Sequence, residues 1–147
     1  MLFDDDVIKK AILNNAEEHD VILNDLEKFD KLLQDENFDE VFKGSKNILS
    51  FFDKEMKEHF LQEEEVLFPA VLLNKTDNKT ISLVLILQKE HGVILEKVEF
   101  LKKEKNNYDN YKDSNYITLL QKIIVELMEH SKKEMKELYP LLENLTH

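Results

Sequence analysis

The chain contains no cysteine and no tryptophan, and only two glycines and two prolines among its 147 residues. The missing thiols exclude disulfides, thiolate nucleophiles, cysteine-held zinc and cysteine-ligated clusters, so any chemistry must rest on nitrogen and oxygen side chains. So few turn formers cannot serve the many reversals of a sandwich or barrel, whereas the plentiful Leu, Ile, Lys and Glu favour helices. An all-α fold is the expectation. No apolar run reaches the length of a membrane-spanning helix, and the start "MLFDDDVIKK" carries three aspartates where a signal peptide has a basic head and an apolar stretch. A cytoplasmic protein without a membrane partner is therefore expected. The net charge of -11, with lysines dispersed among acids, repels phosphate backbones, so no nucleic-acid partner is expected either. The length suits one domain, 1–147, with a single core and acting as a monomer.

What the sequence does have is helical periodicity. After Asp4, Asp5 and Asp6, which can cap a helix, apolar residues recur at steps of three or four from Ile8 to Leu33, with Asn15 and His19 among them. This predicts a first helix to about residue 35. A second stripe runs from Val41 through Phe52, Glu55, Met56, His59 and Glu63 to Val66, ending near Pro69. The third, from Ile81 to Leu101, carries His91, and the fourth, from Tyr116 to Leu141, carries His130 and Glu134. The polar stretches "QDENFDE", "NKTDNKT" and "KNNYDNYKDSN" separate them. Long helices with short connections predict an up-down-up-down four-helix bundle. Gly92, beside His91, is expected to allow a close approach.

The chain also repeats itself. "HFLQEEEVLFP" at 59–69 returns as "HSKKEMKELYP" at 130–140, a displacement of 71 residues that maps His59 on His130 and Glu63 on Glu134. Each half is a helical hairpin offering one histidine from its first helix and a His, Glu pair four residues apart from its second. Counting the rise from the predicted loops puts the histidines at one height in the bundle. Four imidazoles and two carboxylates then meet in one layer of the core, and buried carboxylates without a positive partner are costly. A pair of metal ions is the economical solution, held by His19, His59, Glu63, His91, His130 and Glu134. The i, i+4 spacing lets each His, Glu pair chelate from one wall. Imidazole and carboxylate donors without thiolate suit iron, manganese or zinc, and redox work favours iron. An oxo or hydroxo bridge would bring each ion to five ligands and leave one exchangeable position on each.

This ligand set, with "EEEVLFP" after the first pair and "KELYP" after the second, resembles the haemerythrin-like (HHE) cation-binding domain over nearly the whole chain. Oxygen-carrying haemerythrins have two histidines four apart on the third helix and an aspartate on the fourth, whereas Leu87 and Leu95 flank His91 here and the last carboxylate is Glu134. The symmetric set of four histidines and two glutamates is more similar to the di-iron domain of the repair-of-iron-centres proteins. Those proteins often carry an additional cysteine-bearing N-terminal domain. The resemblance implies a non-haem di-iron protein that binds or reacts with O2, peroxide or NO in oxidative or nitrosative stress defence or iron-centre repair, with an electron donor as a possible partner. The alternative is a reversible O2 carrier or sensor module. A passive iron reservoir is a third reading, but two ions per chain store little.

Around the ligands, Glu18, Glu58, Glu90 and Glu129 each precede a histidine, where they are expected mostly as solvated flanks. Glu55, one turn before His59, is expected on the inner face, orienting an imidazole or carrying protons. In the repair proteins acidic residues in comparable places line a route to the metals, which makes Glu55 and Glu90 access candidates. Phe68 and Tyr139 are expected to pack the bundle end, and the two prolines to bend or end helices two and four. His147 has no assigned role.

Overall fold

The computed structural model describes residues 5–104 and 115–144, and all regular structure among them is helical. The first rod is α1 (Asp5–Gln34). The second comprises α2 (Phe38–Asp53), α3 (Glu55–Gln62), a π-helical segment (Glu63–Leu67) and α4 (Phe68–Asn74). α5 (Asn78–Glu104) is the third. The fourth comprises α6 (Asn115–Lys133), a second π-helical segment (Glu134–Leu138) and α7 (Tyr139–Glu143). The four rods form the up-down-up-down bundle that the periodicity predicts. Asp4, His147 and nearly all of the predicted turn at 105–115 lie outside the described residues.

Local chemistry sets the rod ends. α1 stops where Asn37 N–H reaches back to the Leu32 carbonyl and Glu36 N–H to that of Leu33, with Glu36 at φ 55°. This is a Schellman ending, and its left-handed position suits glycine, whereas a side chain there is strained. Glu36→Gly is expected to stabilise the protein by about 1 kcal/mol, read as a higher urea midpoint at unchanged slope. α5 starts on Asp77, whose carboxylate accepts the Thr80 N–H and Thr80 hydroxyl, each at 2.9 Å. Those bonds hold the Asp77 carboxyl below its usual range.

Two features interrupt the second rod. The helix breaks at Lys54, where φ −116° and ψ −71° depart from helical values. Further on, Phe68 N–H bonds the Glu63 carbonyl, five residues back, and in the fourth rod Tyr139 N–H does the same to Glu134. Each wide turn lies just before a proline, Pro69 or Pro140. A proline inside an α-helix lacks the N–H for the carbonyl four residues back, and its ring clashes with that carbonyl. One inserted residue moves that carbonyl aside. Of the two outcomes expected of the prolines, bending or ending a rod, ending does not occur, because the π turns absorb them: α4 continues to Asn74 and α7 to Glu143.

Among the described residues, the buried apolar side chains form two clusters. The larger includes Leu26, Phe52, Met56, Val98, Leu101 and Ile123, and the smaller Leu67, Phe68, Val71, Val84, Leu87 and Leu138. On every rod the buried histidine lies between residues of the two clusters, so the polar layer has an apolar lid on each side. Gly44 sits where a Cβ would meet the Phe29 ring at 3.1 Å. Gly92 faces open space instead, so the close approach expected there is not made. No helix of the described residues is long and apolar enough to cross a membrane.

Candidate metal centre

The structure brings all six predicted residues together. His19, His59, Glu63, His91, His130 and Glu134 are each at most 4% exposed, and both glutamates are at 0%. Their donor atoms fall into two groups, His19, His59, Glu63, Glu134 and Glu63, His91, His130, Glu134, which share the two carboxylates. The internal repeat is visible in the geometry: the His19 and His59 rings are 4.7 Å apart at 58°, those of His91 and His130 4.8 Å apart at 60°. Glu63 Oε2 stands 3.6 Å from His19 Nε2 and 3.5 Å from His59 Nε2, while its Oε1 is 3.0 Å from His91 Nε2. Glu134 Oε1 is 3.2 Å from His19 Nε2 and 3.1 Å from His130 Nε2. Each carboxylate thus spans both groups. The π turns begin at these two glutamates.

Protonation follows from what lies behind the rings. His59 Nδ1 is 2.8 Å from Glu18 Oε2, His130 Nδ1 is 2.8 Å from Glu90 Oε1, and His91 Nδ1 is 3.1 Å from Glu64 Oε1. A carboxylate only accepts, so each of these Nδ1 atoms carries the proton and each Nε2 points a lone pair into the layer. His91 Nε2 and His130 Nε2 then face each other at 3.1 Å. All four carboxylate oxygens of Glu63 and Glu134, and both nitrogens of His19, are buried without an aligned hydrogen bond. Convergent lone pairs and uncompensated buried carboxylates are what a divalent cation requires, so the donor set fits a metal.

Without a cation the layer is electrostatically frustrated. Burial, reinforced by Glu134, pushes the Glu63 carboxyl well above the ordinary range. Burial would raise Glu134 too, but Glu63, His130 and His19 together hold it well below. Burial and the neighbouring His130 lower His91 to about 3, and burial with His19 lowers His59. In His130 burial acts the same way but is outweighed by Glu134 and Glu90, and its value rises.

Several expectations about the surroundings change. Glu55 is exposed and lies in a surface hollow with Glu17, Glu18 and Glu58. It begins α3 just after the break at Lys54, and the inward place in that turn belongs to Met56, 1% exposed. Glu18, expected as a solvated flank, is the residue behind His59. Glu90 does stand at the site, bonded to His130 and Lys133. Glu64 was not singled out by the sequence reasoning at all. Phe68 and Tyr139 line the polar layer and do not pack the bundle end: Phe68 stacks at 5.7 Å on His91, and the Tyr139 ring meets His19 edge-on at 5.2 Å. They follow the glutamates by five residues, about 140° round an α-helix but about one turn across a π segment. Phe60 covers the other face of His91, stacked at 3.8 Å. The Tyr139 hydroxyl donates to Asn15 Oδ1 at 2.6 Å, and Asn15 Nδ2 donates to Gln62 Oε1 at 3.3 Å. The same amide is 3.4 Å from His59 Nδ1, but that nitrogen already donates to Glu18 and cannot accept.

Comparison with individual curated proteins gives no match, and neither does comparison with solved structures. The family model of the hemerythrin HHE cation binding domain, in contrast, matches residues 12–142, a span that contains every residue of the centre. With that match and a buried His/Glu centre able to hold a metal, the chain belongs to the hemerythrin HHE cation-binding family.

Proposed function

We propose that this chain, as one domain, binds a pair of iron ions, one against His19 and His59, the other against His91 and His130, with Glu63 and Glu134 shared. In this reading the reduced pair reacts with O2, peroxide or NO in defence against oxidative or nitrosative stress or in the repair of iron centres. The observation that carries it is the set of four buried carboxylate oxygens that lack an aligned hydrogen bond among the described residues, set among imidazole lone pairs. Charge supports two ions over one. A single dication is already neutralised by Glu63 and Glu134, which would leave Glu18, Glu64 and Glu90 in surplus. Two dications leave an excess of two positive charges, and with Lys133 paired to Glu90 that excess matches the three outer carboxylates. Imidazole and carboxylate donors without thiolate suit iron.

When bound, ferrous iron supplies the electrons for reducing an oxidising ligand. The protein's own groups set the conditions. Glu18, Glu64 and Glu90 hold three imidazoles by their Nδ1 protons, which fixes ring orientation and strengthens the opposite nitrogen as a donor. Phe60 and Phe68, stacked on its ring, keep water from His91. Burial, with Glu63 and Glu134 nearby, raises the Tyr139 hydroxyl above its ordinary range, so it stays a donor to Asn15 at every physiological pH. A surface hollow of about 500 Å³ lined by Glu90, Glu126, Glu129, His130 and Lys133 borders the outer side of His130, and Glu90 is the access group in this reading.

The carrier reading has less support, because Leu87 is fully buried in the apolar cluster and the third rod has a single imidazole. Reduced, iron-loaded protein exposed anaerobically to NO is expected to develop nitrosyl absorption bands, and exposed to O2 to oxidise without recovery on degassing. A stable oxy spectrum that disappears reversibly under vacuum would establish the carrier instead.

A further inference from the structure

The internal repeat makes a prediction that the chain breaks at one position. Aligning the sequences of the two hairpins on their ligands maps Glu18 on Glu90, His19 on His91, His59 on His130, Glu63 on Glu134 and Glu64 on residue 135. Glu18 and Glu90 play the same part, each holding the Nδ1 proton of the histidine on the next rod at 2.8 Å. Glu64 holds His91 in the same way from the second rod. Its counterpart in the fourth rod should hold His19, but residue 135 is methionine, 40% exposed and with no acceptor oxygen to offer. His19 Nδ1 accordingly has no hydrogen-bond partner among the described residues, although the ring is 1% exposed. The remaining support on that side is also the more exposed one: Glu18 is 49% exposed, against 33% for Glu64 and 31% for Glu90. Around the rings the contrast continues, with Phe60 and Phe68 stacked on His91 and the Tyr139 ring edge-on to His19.

An imidazole whose Nδ1–H is given to a carboxylate is a better-oriented and more basic ligand at Nε2, and losing such a partner typically costs about 10- to 100-fold in metal affinity. We infer that the two cation positions of this centre are inequivalent by construction. The position at His91 and His130 is the retained one, the position at His19 and His59 is the exchangeable one, and Met135 is the residue that sets the difference. This rests on the paired-metal reading above and adds which half gives up its ion. A divalent cation would then enter and leave through one half while the other keeps the centre folded.

Repulsion between two dications separates the binding steps in any paired site, so step affinities alone decide nothing; occupancy by position does. The full chain, stripped of metal, would be titrated with Zn²⁺ while the ring ¹⁵N signals of the four histidines are followed by NMR. At one equivalent the His91 and His130 signals should move to their metal-bound positions while those of His19 and His59 remain near their metal-free ones. Met135→Glu supplies the missing acceptor and should strengthen the second position about tenfold or more, so that all four signals respond together. Glu64→Met should level the two positions from the other side and serves also if the first variant folds poorly. Met135→Leu should keep the natural order. All four signals moving in parallel in the natural chain, His19 and His59 moving first, or an order unchanged in both Met135→Glu and Glu64→Met would overturn the inference. Binding of fewer than two equivalents in total would overturn the paired-metal reading itself.

Discussion

Replacing Glu63 with glutamine is expected to make the metal-free protein more stable and the metal-loaded protein much less so. In the metal-free protein Glu63 is fully buried beside a second carboxylate, with both oxygens lacking aligned donors, and burial with that neighbour raises its carboxyl well above the ordinary value of 4.5. A raised folded value means that the charged form is disfavoured by folding. The stability it contributes is complete below the unfolded value and is lost as the pH rises toward the folded one. The glutamine amide has the same shape, carries no charge, and can donate to Glu134. At pH 7 the gain is about 1–3 kcal/mol, roughly 5 °C in melting temperature for a chain of this length. The advantage should vanish near pH 4 and widen as the pH rises. With metal the sign reverses. At free metal a thousandfold above its dissociation constant each ion stabilises the native state by about 4 kcal/mol, and two ions together raise the melting temperature by roughly 15–30 °C. Glutamine removes the charge that both positions share, so most of that rise should disappear. Thermal unfolding with and without a chelator measures both halves. A variant that is destabilised in both states would show that Glu63 serves packing alone.

Glu134→Ala and His59→Ala should separate according to which positions each residue serves. Glu134 lies in both donor groups, with Oε1 close to a histidine of each, whereas His59 lies in one. The alanine at 134 is therefore expected to bring the metal content of purified protein from two ions per chain to near zero, and the alanine at 59 to bring it to one. Their loaded melting temperatures should fall in the same order, by roughly 15–30 °C and about half of that. Elemental analysis on protein quantified by amino-acid content checks the stoichiometry. Two ions retained in both variants would remove these residues from the ligand set.

The bundle and the polar layer were legible in the sequence because both are written as periods. Apolar steps of three and four give the rods, and the 71-residue return of His, Glu and the aromatic-proline pair puts like residues at like heights. The rest depends on information that one helix does not carry. The break at Lys54 falls in "FDKEM", which has no glycine or proline to announce it, and it moves Glu55 from the predicted inner face to the surface. The π turns add one residue without disturbing the surrounding pattern, and their only sequence signal is the proline placed six residues after each glutamate. Glu18 and Glu64 are adjacent in the chain to ligands of their own rod and about 100° away from them, so Glu18 reads as a solvated flank and nothing marks Glu64; the imidazoles they hold belong to the next rod.

The most direct test of the paired centre is diffraction from crystals of the iron-loaded protein, recorded on both sides of the iron absorption edge. The account predicts two anomalous peaks per chain, about 3.5–4 Å apart, with His19 and His59 at one, His91 and His130 at the other, and Glu63 and Glu134 touching both. A single peak, or peaks on the outer surface with these six side chains left free of metal, would contradict it.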